Sequence, residues 1–250
     1  MIHHVFANRS NAGDWLSAKA IQSLLRSPVE EHLCDEPFVP ETLRRLSAAG
    51  PDDLVIIGGG GLFMDYFTPF WEGFSSIAPK ARFAIWGAGY CDLKHEETRI
   101  APTLIREVAA RAKVCAVRDE LTQRHLQTPN TEVAPCPSML AVPNPKESGW
   151  GILHSVNFTT AGSQAYEAMQ KFAKDFAQET DRPFRETNNR IEAGSQSDLE
   201  NCLQLYEDAD VVLSSRLHGC ILAVTKGRRL VAVSGDRKIE SFMEAACLSD

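Results

Sequence analysis

Short apolar runs alternate along the chain with longer segments in which apolar residues recur every three or four positions. The clearest runs, at residues 54–57 and 211–213, consist of consecutive β-branched and other apolar residues, which is typical of strands buried on both faces of a sheet. The longer segments have the spacing of amphipathic helices. This regular alternation predicts an α/β fold with mostly parallel sheets and right-handed crossovers.

The alternation is interrupted once, at residues 141–149, where two prolines stand among polar residues. This composition predicts a linker between domains. Since strands and helices resume after it, we expect two Rossmann-like domains, residues 1–142 and a smaller one at residues 143–250. We expect the carboxyl ends of the two sheets to face each other across a cleft, where α/β folds bind ligands.

The segment at residues 210–219 joins a predicted strand to a predicted helix and carries two functional side chains. Ser214 or Ser215 is expected to cap the helix. Arg216 and His218 then lie at the strand's carboxyl end and in the first helical turn, where backbone N–H groups and the helix dipole favour an anion. An arginine in a surface ion pair and a histidine that satisfies a helix end are the structural alternative. We favour a phosphate or carboxylate site, because two such groups coincide at a strand end.

Two other predicted strand ends carry candidate binding residues. After the first strand, Asn11, Gly13 and Asp14 form a polar turn, and Asp14 is expected to cap the next helix. Four glycines at residues 58–61 directly follow the strand predicted at residues 54–57, and they allow close approach to a ligand or a sharp turn. The aromatic-rich residues 62–74 are expected to form a core-facing helix.

Composition excludes several classes of protein. The net charge of −7 argues against a nucleic-acid or anionic-membrane surface, although a local cationic cluster can still bind an anionic small molecule. No apolar run approaches the roughly 20 residues that a bilayer requires, and the amino terminus lacks the basic start of a signal peptide. Seven cysteines without a C-x-x-C pair favour buried thiols in a reducing cytoplasm over disulfides or zinc. We therefore expect a cytoplasmic protein without a metal or other cofactor.

Taken in order, these motifs resemble the polysaccharide pyruvyl transferase family over nearly the whole chain. The motif at residues 215–219, Ser-Arg-Leu-His-Gly, is the most specific of the set. The others are found at residues 11–14, 56–62, 87–89, 117–119 and 136–138, together with Asp65 and Lys238.

The resemblance implies a fold like that of the two-domain GT-B glycosyltransferases. It also implies phosphoenolpyruvate as the donor and a sugar diol of a surface polysaccharide as the acceptor, with a pyruvate ketal as the product. Family members with this pattern use the arginine and histidine of the last motif in the donor site, which correspond to Arg216 and His218. GT-B folds usually end in a helix that crosses back over the first domain, whereas this sequence ends soon after the helix expected near Lys238.

Ketal transfer requires a proton for the enol methylene group and stabilisation of the departing phosphate. His218 is the natural acid, because the unperturbed pKa of histidine lies near working pH. Arg216 suits a carboxylate or phosphate through its planar fork of donors. Further anion-binding candidates are Lys238, Arg118, Ser138, Gly60 and Gly61. Asp14 or Asp65 is the candidate base for an acceptor hydroxyl.

Two alternatives remain open at this stage. The same arginine and histidine would bind a diphosphate in a GT-B glycosyltransferase that uses a nucleotide sugar. A catalytically silent domain that binds a glycan or a nucleotide sugar is the non-enzymatic alternative, and product formation distinguishes it from both enzymes.

Overall fold

The computed structural model describes residues 1–94, 100–141 and 149–248. Contacts divide the chain into two compact units. The first comprises Met1–Asn8, Asp14–Asp92 and Glu96–Ala141, and the second comprises Arg9–Gly13, Leu93–His95 and Val142–Asp250. The predicted linker and the predicted boundary between residues 142 and 143 fall on residues 142–148, which lie outside the described residues.

The described residues of the first unit contain six parallel strands in one sheet, in the order β2-β1-β3-β4-β5-β6. The strands are β1 (Ile2–Phe6), β2 (Val29–Leu33), β3 (Leu54–Phe63), β4 (Phe83–Tyr90), β5 (Cys115–Val117) and β6 (Thr131–Val133). The helices along the same stretch of chain are α1 (Ala12–Leu24), α2 (Val39–Ser47), α3 (Thr68–Ile77), α4 (Pro102–Ala109) and α5 (Glu120–Leu126). Aromatic residues fill much of this core: Trp71, Phe74, Phe83 and Tyr90 are all fully buried.

The glycine run belongs to β3 and is not a turn, which corrects the predicted helix at residues 62–74. β3 pairs with β4 as far as Phe63, and α3 begins only at Thr68. A side chain at Gly58 would lie 1.7 Å from the carbonyl oxygen of Trp86. Gly59 and Gly60 have φ values of 84° and 105°, which side chains rarely adopt. Glycine is therefore required in the strand by close strand pairing and by the local bulge.

The described residues of the second unit contain four parallel strands in the order β10-β9-β7-β8. These strands are β7 (Gly151–Ser155), β8 (Phe184–Thr187), β9 (Ala209–Ser214) and β10 (Arg229–Ala232). The helices are α6 (Phe158–Glu179), α7 (Gln196–Asp208), α8 (Leu217–Thr225) and α9 (Arg237–Ala245).

Both sheets have the same winding. In each, the first strand of the unit lies between the second and the third, and the fourth follows the third. The strand order therefore reverses between β1 and β3 in one sheet and between β7 and β9 in the other. Such a reversal opens a crevice at the carboxyl ends of the two strands, where doubly wound sheets bind ligands.

Helix starts differ in detail from the predictions. Asn11, rather than Asp14, accepts the backbone N–H of Gly13 at the start of α1. Ser195 caps α7 by accepting the N–H of Asp198. Asp119 caps α5, since its side chain accepts the N–H of Thr122.

The cysteines are free thiols, and six are buried, with only Cys247 exposed. In the described part of the chain, no helix combines the length and the apolar character needed to cross a membrane.

Candidate functional site

In the second unit, the turn between β9 and α8 presents the two predicted catalytic side chains. Arg216 is half-buried and is the N-cap residue of α8. The prediction that Ser214 or Ser215 caps this helix is therefore wrong. The Ser214 hydroxyl instead accepts the N–H of Arg216 at 3.1 Å and donates to the carbonyl of the same residue at 3.0 Å. His218 follows in the first helical turn and is only 8% exposed. The first turn of α8 contains no acidic residue.

Gly13 lies directly against the imidazole of His218. A side chain at Gly13 would come within 2.1 Å of the His218 Cγ atom, so only glycine fits at this position. The segment that carries Gly13 is held within the second unit by a bridge between Asn11 and Arg190. A backbone hydrogen bond of 2.9 Å from Ala12 to the carbonyl of Asn189 adds to it. The predicted site residue Gly13 is thus brought to His218, and Asn11 accepts the N–H of Gly13.

A buried polar network lies behind this turn, and the sequence did not reveal it. Ser155, at the end of β7, pairs with the Tyr206 hydroxyl at 2.7 Å, and that hydroxyl donates to Asn189 Oδ1 at 2.8 Å. Asn189 is fully buried with φ of 58°, a left-handed conformation that asparagine tolerates. Gly219 completes the packing, since a side chain there would lie 2.3 Å from the Ser214 hydroxyl. The network links the end of β7 to α7 and to the segment that follows β8.

Arg216 acts electrostatically on this region. Burial raises the pKa of the Cys202 thiol to about 11, while a hydrogen bond to Thr187 and the positive charge of Arg216 oppose that rise. Burial also raises the pKa of Tyr206, and the Arg216 charge again opposes it. The guanidinium charge therefore acts on two side chains of α7, the helix that precedes β9.

Lys238 lies in the first turn of α9, just after β10. Its ammonium group pairs with Asp236 Oδ2 at 2.6 Å, and its backbone N–H bonds to Asp236 Oδ1 at 3.0 Å. Asp236 is completely buried and caps α9. The charge of Lys238 is therefore largely balanced by its own capping residue.

In the first unit, Arg118 occupies a cradle lined by glycines. Side chains at Gly89 and Gly61 would lie 2.3 Å from Arg118 Nε and 3.6 Å from Arg118 Nη2 respectively. Its Nε donates to Asp119 at 3.2 Å and its Nη2 to the Tyr90 carbonyl at 3.4 Å. Burial by itself would lower the pKa of Arg118, but the negative charge of Asp119 leads the contributions that raise it. Arg118 is thus a fully ionised cation, paired within the fold.

Asp14 lies beside the glycine run. A side chain at Gly60 would come within 2.4 Å of Asp14 Oδ1, so the Asp14 carboxylate packs directly against the backbone of β3. Ser138 is 1% exposed, and its hydroxyl lies 3.2 Å from Cys136 Sγ, which in turn lies 3.7 Å from the Ser17 hydroxyl. These residues and Arg118 belong to the same unit and follow the ends of its strands.

Asp65 has a different environment from the other candidates. It begins the short 3₁₀ turn after β3, is exposed, and accepts the backbone N–H of Tyr66 at 2.9 Å. The described contacts of Asp65 are local to this turn, so the structure does not bring it to the other predicted residues.

The chain was compared with protein families, with curated proteins and with solved structures. Residues 11–237 match the sequence profile of the polysaccharide pyruvyl transferase family. Among curated proteins, no sequence matches significantly.

Two solved structures have a similar fold. An uncharacterised protein from Klebsiella pneumoniae subsp. pneumoniae matches with a TM-score of 0.59 and 16% identity, over 98% of this chain and 88% of that chain. The UDP-GlcNAc 2-epimerase of Methanocaldococcus jannaschii, solved with UDP-GlcNAc and UDP, matches with a TM-score of 0.52 and 10% identity, over 100% of this chain and 93% of that chain. At these identities the likeness concerns the fold, and it confirms the predicted GT-B-like α/β class.

The family profile spans all but the first ten and the last 13 residues, which covers both units and every predicted site residue except Lys238. The chain is a transferase and belongs to the polysaccharide pyruvyl transferase family.

Proposed function

We propose that the protein transfers the enolpyruvyl group of phosphoenolpyruvate to a sugar diol of a surface polysaccharide, forming a ketal and releasing phosphate. The observation that carries this proposal is the β9–α8 turn. It combines a half-buried Arg216 with a buried His218 at the start of a helix whose first turn lacks acidic residues. The buried free thiols support a reducing, cytoplasmic setting for the reaction.

The donor is a small molecule with two anionic groups, and the turn has matching donors. The N–H groups of a helix's first turn have no acceptor within the helix, and the helix dipole adds positive potential there. Arg216 offers a planar fork that binds a phosphate or a carboxylate through two parallel hydrogen bonds. We assign the donor phosphate or carboxylate to these groups. Lys238, already paired with Asp236, is a weaker candidate for the same anion.

His218 is the proposed general acid. It gives a proton to the methylene carbon of the donor, which becomes a methyl group and leaves a cationic centre at the former enol carbon. One acceptor hydroxyl oxygen bonds to that carbon, and the second replaces phosphate as the carbon–oxygen bond to phosphate breaks. The diol loses two protons in this reaction. One of them restores the proton that His218 gave to the methyl carbon, and the other leaves with phosphate. Gly13, packed on the imidazole, fixes the orientation of the ring.

The candidate residues of the first unit remain assigned to substrate binding. Asp14 is the preferred base for an acceptor hydroxyl, because its carboxylate lies over Gly60 of β3, whereas Asp65 is engaged in a local turn. Gly61, Arg118 and Ser138 supply further polar or cationic groups near the strand ends of that unit. No step of the proposed reaction calls for a metal or another cofactor.

Phosphate release from phosphoenolpyruvate, measured with a panel of sugar diols, tests the proposal. We expect release only when a suitable diol is present, together with a product that carries a ketal methyl group. Phosphoenolpyruvate alone should raise the melting temperature by roughly 5–11 °C at about 100 times its Kd. The units can melt separately, so the shift is followed in each transition.

UDP-GlcNAc, the ligand named for the M. jannaschii epimerase, serves as the competing donor. A melting shift with UDP-GlcNAc and none with phosphoenolpyruvate would contradict the proposal and favour a glycosyltransferase. Binding of phosphoenolpyruvate without product, across all diols tested, would favour a silent binding domain.

A further inference from the structure

Two histidines and a glutamate meet at the edge of the first sheet, away from the strand ends that carry the candidate site. His3 Nδ1 lies 3.0 Å from His32 Nε2. The Glu30 carboxylate lies 3.6 Å from His3 Nδ1 and 4.0 Å from His32 Nε2. One potential ligand atom from each residue lies within 4.8 Å of the other two. Ligand atoms around a tetrahedral ion with bonds of about 2.0–2.1 Å are roughly 3.3 Å apart, so small side-chain adjustments would suffice.

The register of β1 and β2 produces this grouping. His3 pairs with Glu30, and Val5 pairs with His32, so the three polar residues point to the same face of the two strands. His3 and His32 are diagonal neighbours, and their rings stack with centroids 5.2 Å apart. Because β2 is the outer strand of the sheet, the grouping joins an edge strand to its only described neighbour.

The adjacent His4 shows how a structural histidine is satisfied in the same strand. Its Nε2 contacts the carbonyl of Gly58 at 3.2 Å, and its Nδ1 contacts the amide of Gln22 at 3.1 Å. In contrast, one nitrogen of His3 faces one nitrogen of His32 and a carboxylate. A proton shared between the two nitrogens leaves the carboxylate oxygen without a partner in this group, whereas a cation at the centre can bind the lone pairs of all three atoms.

Burial and the surrounding charges suit a cation. His3 and His32 are each 6% exposed, while the Glu30 side chain is 37% exposed and leaves a route from solvent. Behind the pair, His3 Nε2 faces Asp53 Oδ2 at 3.8 Å, an arrangement that resembles the carboxylate–histidine–metal pattern of metal sites. Of the nearby positive charges, Arg45 is held by Glu41 at 2.8 Å, and the amino terminus pairs with Asp53 Oδ1 at 2.5 Å.

We propose that His3, Glu30 and His32 bind a divalent transition-metal ion and thereby fasten β2 to β1. Two imidazoles and one carboxylate form a donor set that Zn²⁺ accepts, with water at the fourth position. Zn²⁺ is the ion chosen for the test, because it accepts imidazole and carboxylate ligands in a four-coordinate site. The site is separate from the residues assigned to the transfer reaction.

Zn²⁺ binding to the untagged full chain, measured by equilibrium dialysis with metal analysis, tests this site. We expect one tightly bound ion per chain at micromolar Zn²⁺. The melting temperature should rise by roughly 5–11 °C at about 100 times the Kd. Co²⁺ used in place of Zn²⁺ should give the intense visible absorption of a four-coordinate ion.

The deciding variant is Glu30→Gln, because Glu30 is partly exposed and its loss should not prevent folding. Loss of an outer partner of a metal ligand costs about 10–100-fold in affinity, so loss of a ligand should cost at least as much. Glu31→Gln is the matched control, since Glu31 is the next residue of β2 and points to the opposite face. His32→Gln should abolish binding, with circular dichroism as the check on folding.

Unchanged Zn²⁺ affinity in Glu30→Gln would overturn the proposal and place any bound ion elsewhere. Absence of binding to the wild-type chain at micromolar Zn²⁺ would also overturn it, and would show that His3 and His32 share only a hydrogen bond.

Discussion

The two sheets have the same winding but opposite electrostatics at the points where their strand order reverses. Next to the β1–β3 reversal, α1 carries Asp14 in its first turn, and the adjacent part of β3 is glycine backbone. Next to the β7–β9 reversal, α8 has no acidic residue in its first turn and instead carries Arg216 and His218. Only the second helix start therefore suits an anion, because a carboxylate in the first turn repels one.

The arginines of the two units differ in the same way. Arg118 has 3% side-chain exposure and is paired with Asp119, so its charge is balanced within the fold. Arg216 is half-buried and lies at the N-cap position of α8. A shared topology thus provides two crevices, and under the proposed function their local residues would decide which of them receives the negatively charged donor. This conclusion can be tested by changing each side separately.

The largest effect is expected from His218→Ala. Loss of a general acid typically lowers the rate by about 10²–10⁴-fold, and we expect turnover of phosphoenolpyruvate with a diol to fall by that amount. Donor affinity should change little, because Arg216 and the α8 backbone remain in place. Turnover is measured by phosphate release, and donor affinity is measured by the melting shift.

Turnover of His218→Ala within a few-fold of wild type would remove His218 from the reaction. Gly13→Ala sharpens the result, since the new methyl group would lie 2.1 Å from the His218 ring and must displace it. We expect this variant to lose turnover as His218→Ala does while the imidazole itself is retained.

Asp119→Asn should destabilise the first unit. The variant can still accept the N–H of Thr122 and so cap α5, but it no longer balances the buried charge of Arg118. Removing one partner of a buried ion pair costs about 3–5 kcal/mol, and we expect a loss of that size in urea unfolding.

The matched control for that variant is Asp175→Asn, which breaks an exposed ion pair with Lys171 on α6. Exposed pairs contribute about 0–1 kcal/mol, so this variant should unfold nearly as the wild type does. Equal stability of the two variants would show that Arg118 does not depend on Asp119, and the contrast with Arg216 would fail.

Much of the architecture follows from the sequence because central strands such as β3 and β9 contain consecutive apolar residues and the helices have one apolar face. The turn with Arg216 and His218 was predictable, since a buried strand runs directly into a helix there. The glycine run was misassigned, because glycine is unfavourable inside most strands and here is required by contacts with Trp86 and Asp14. Such contacts join residues far apart in sequence, so no local pattern encodes them.

Capping residues and the polar network show the same limit. Asn11 and Asp14 are both good caps, and the structure selects Asn11. Asn189 reaches the site through a left-handed backbone and a hydrogen bond to Ala12, which lies far away in the sequence. The sequence signal that could have identified Asn189 is modest: it follows the strand end at Thr187, and asparagine is enriched among left-handed residues.

The smallest effect, and the most specific, is expected from Arg216→Lys. Lysine keeps the positive charge but replaces the planar fork with a point charge, so the second parallel hydrogen bond to the donor is lost. A hydrogen bond to a charged group contributes about 1.5–3 kcal/mol, which corresponds to a roughly 10–150-fold weaker Kd for phosphoenolpyruvate. Isothermal titration or the melting shift measures this loss. Arg185→Lys is the control, because Arg185 is exposed on β8 and its described hydrogen bond goes to the neighbouring carbonyl of Phe184. If Arg216→Lys bound the donor as tightly as Arg185→Lys does, charge by itself would account for binding. Arg216 would then contribute in the same nonspecific way as any other cation near the helix start, and the geometric part of the contrast between the two units would be wrong.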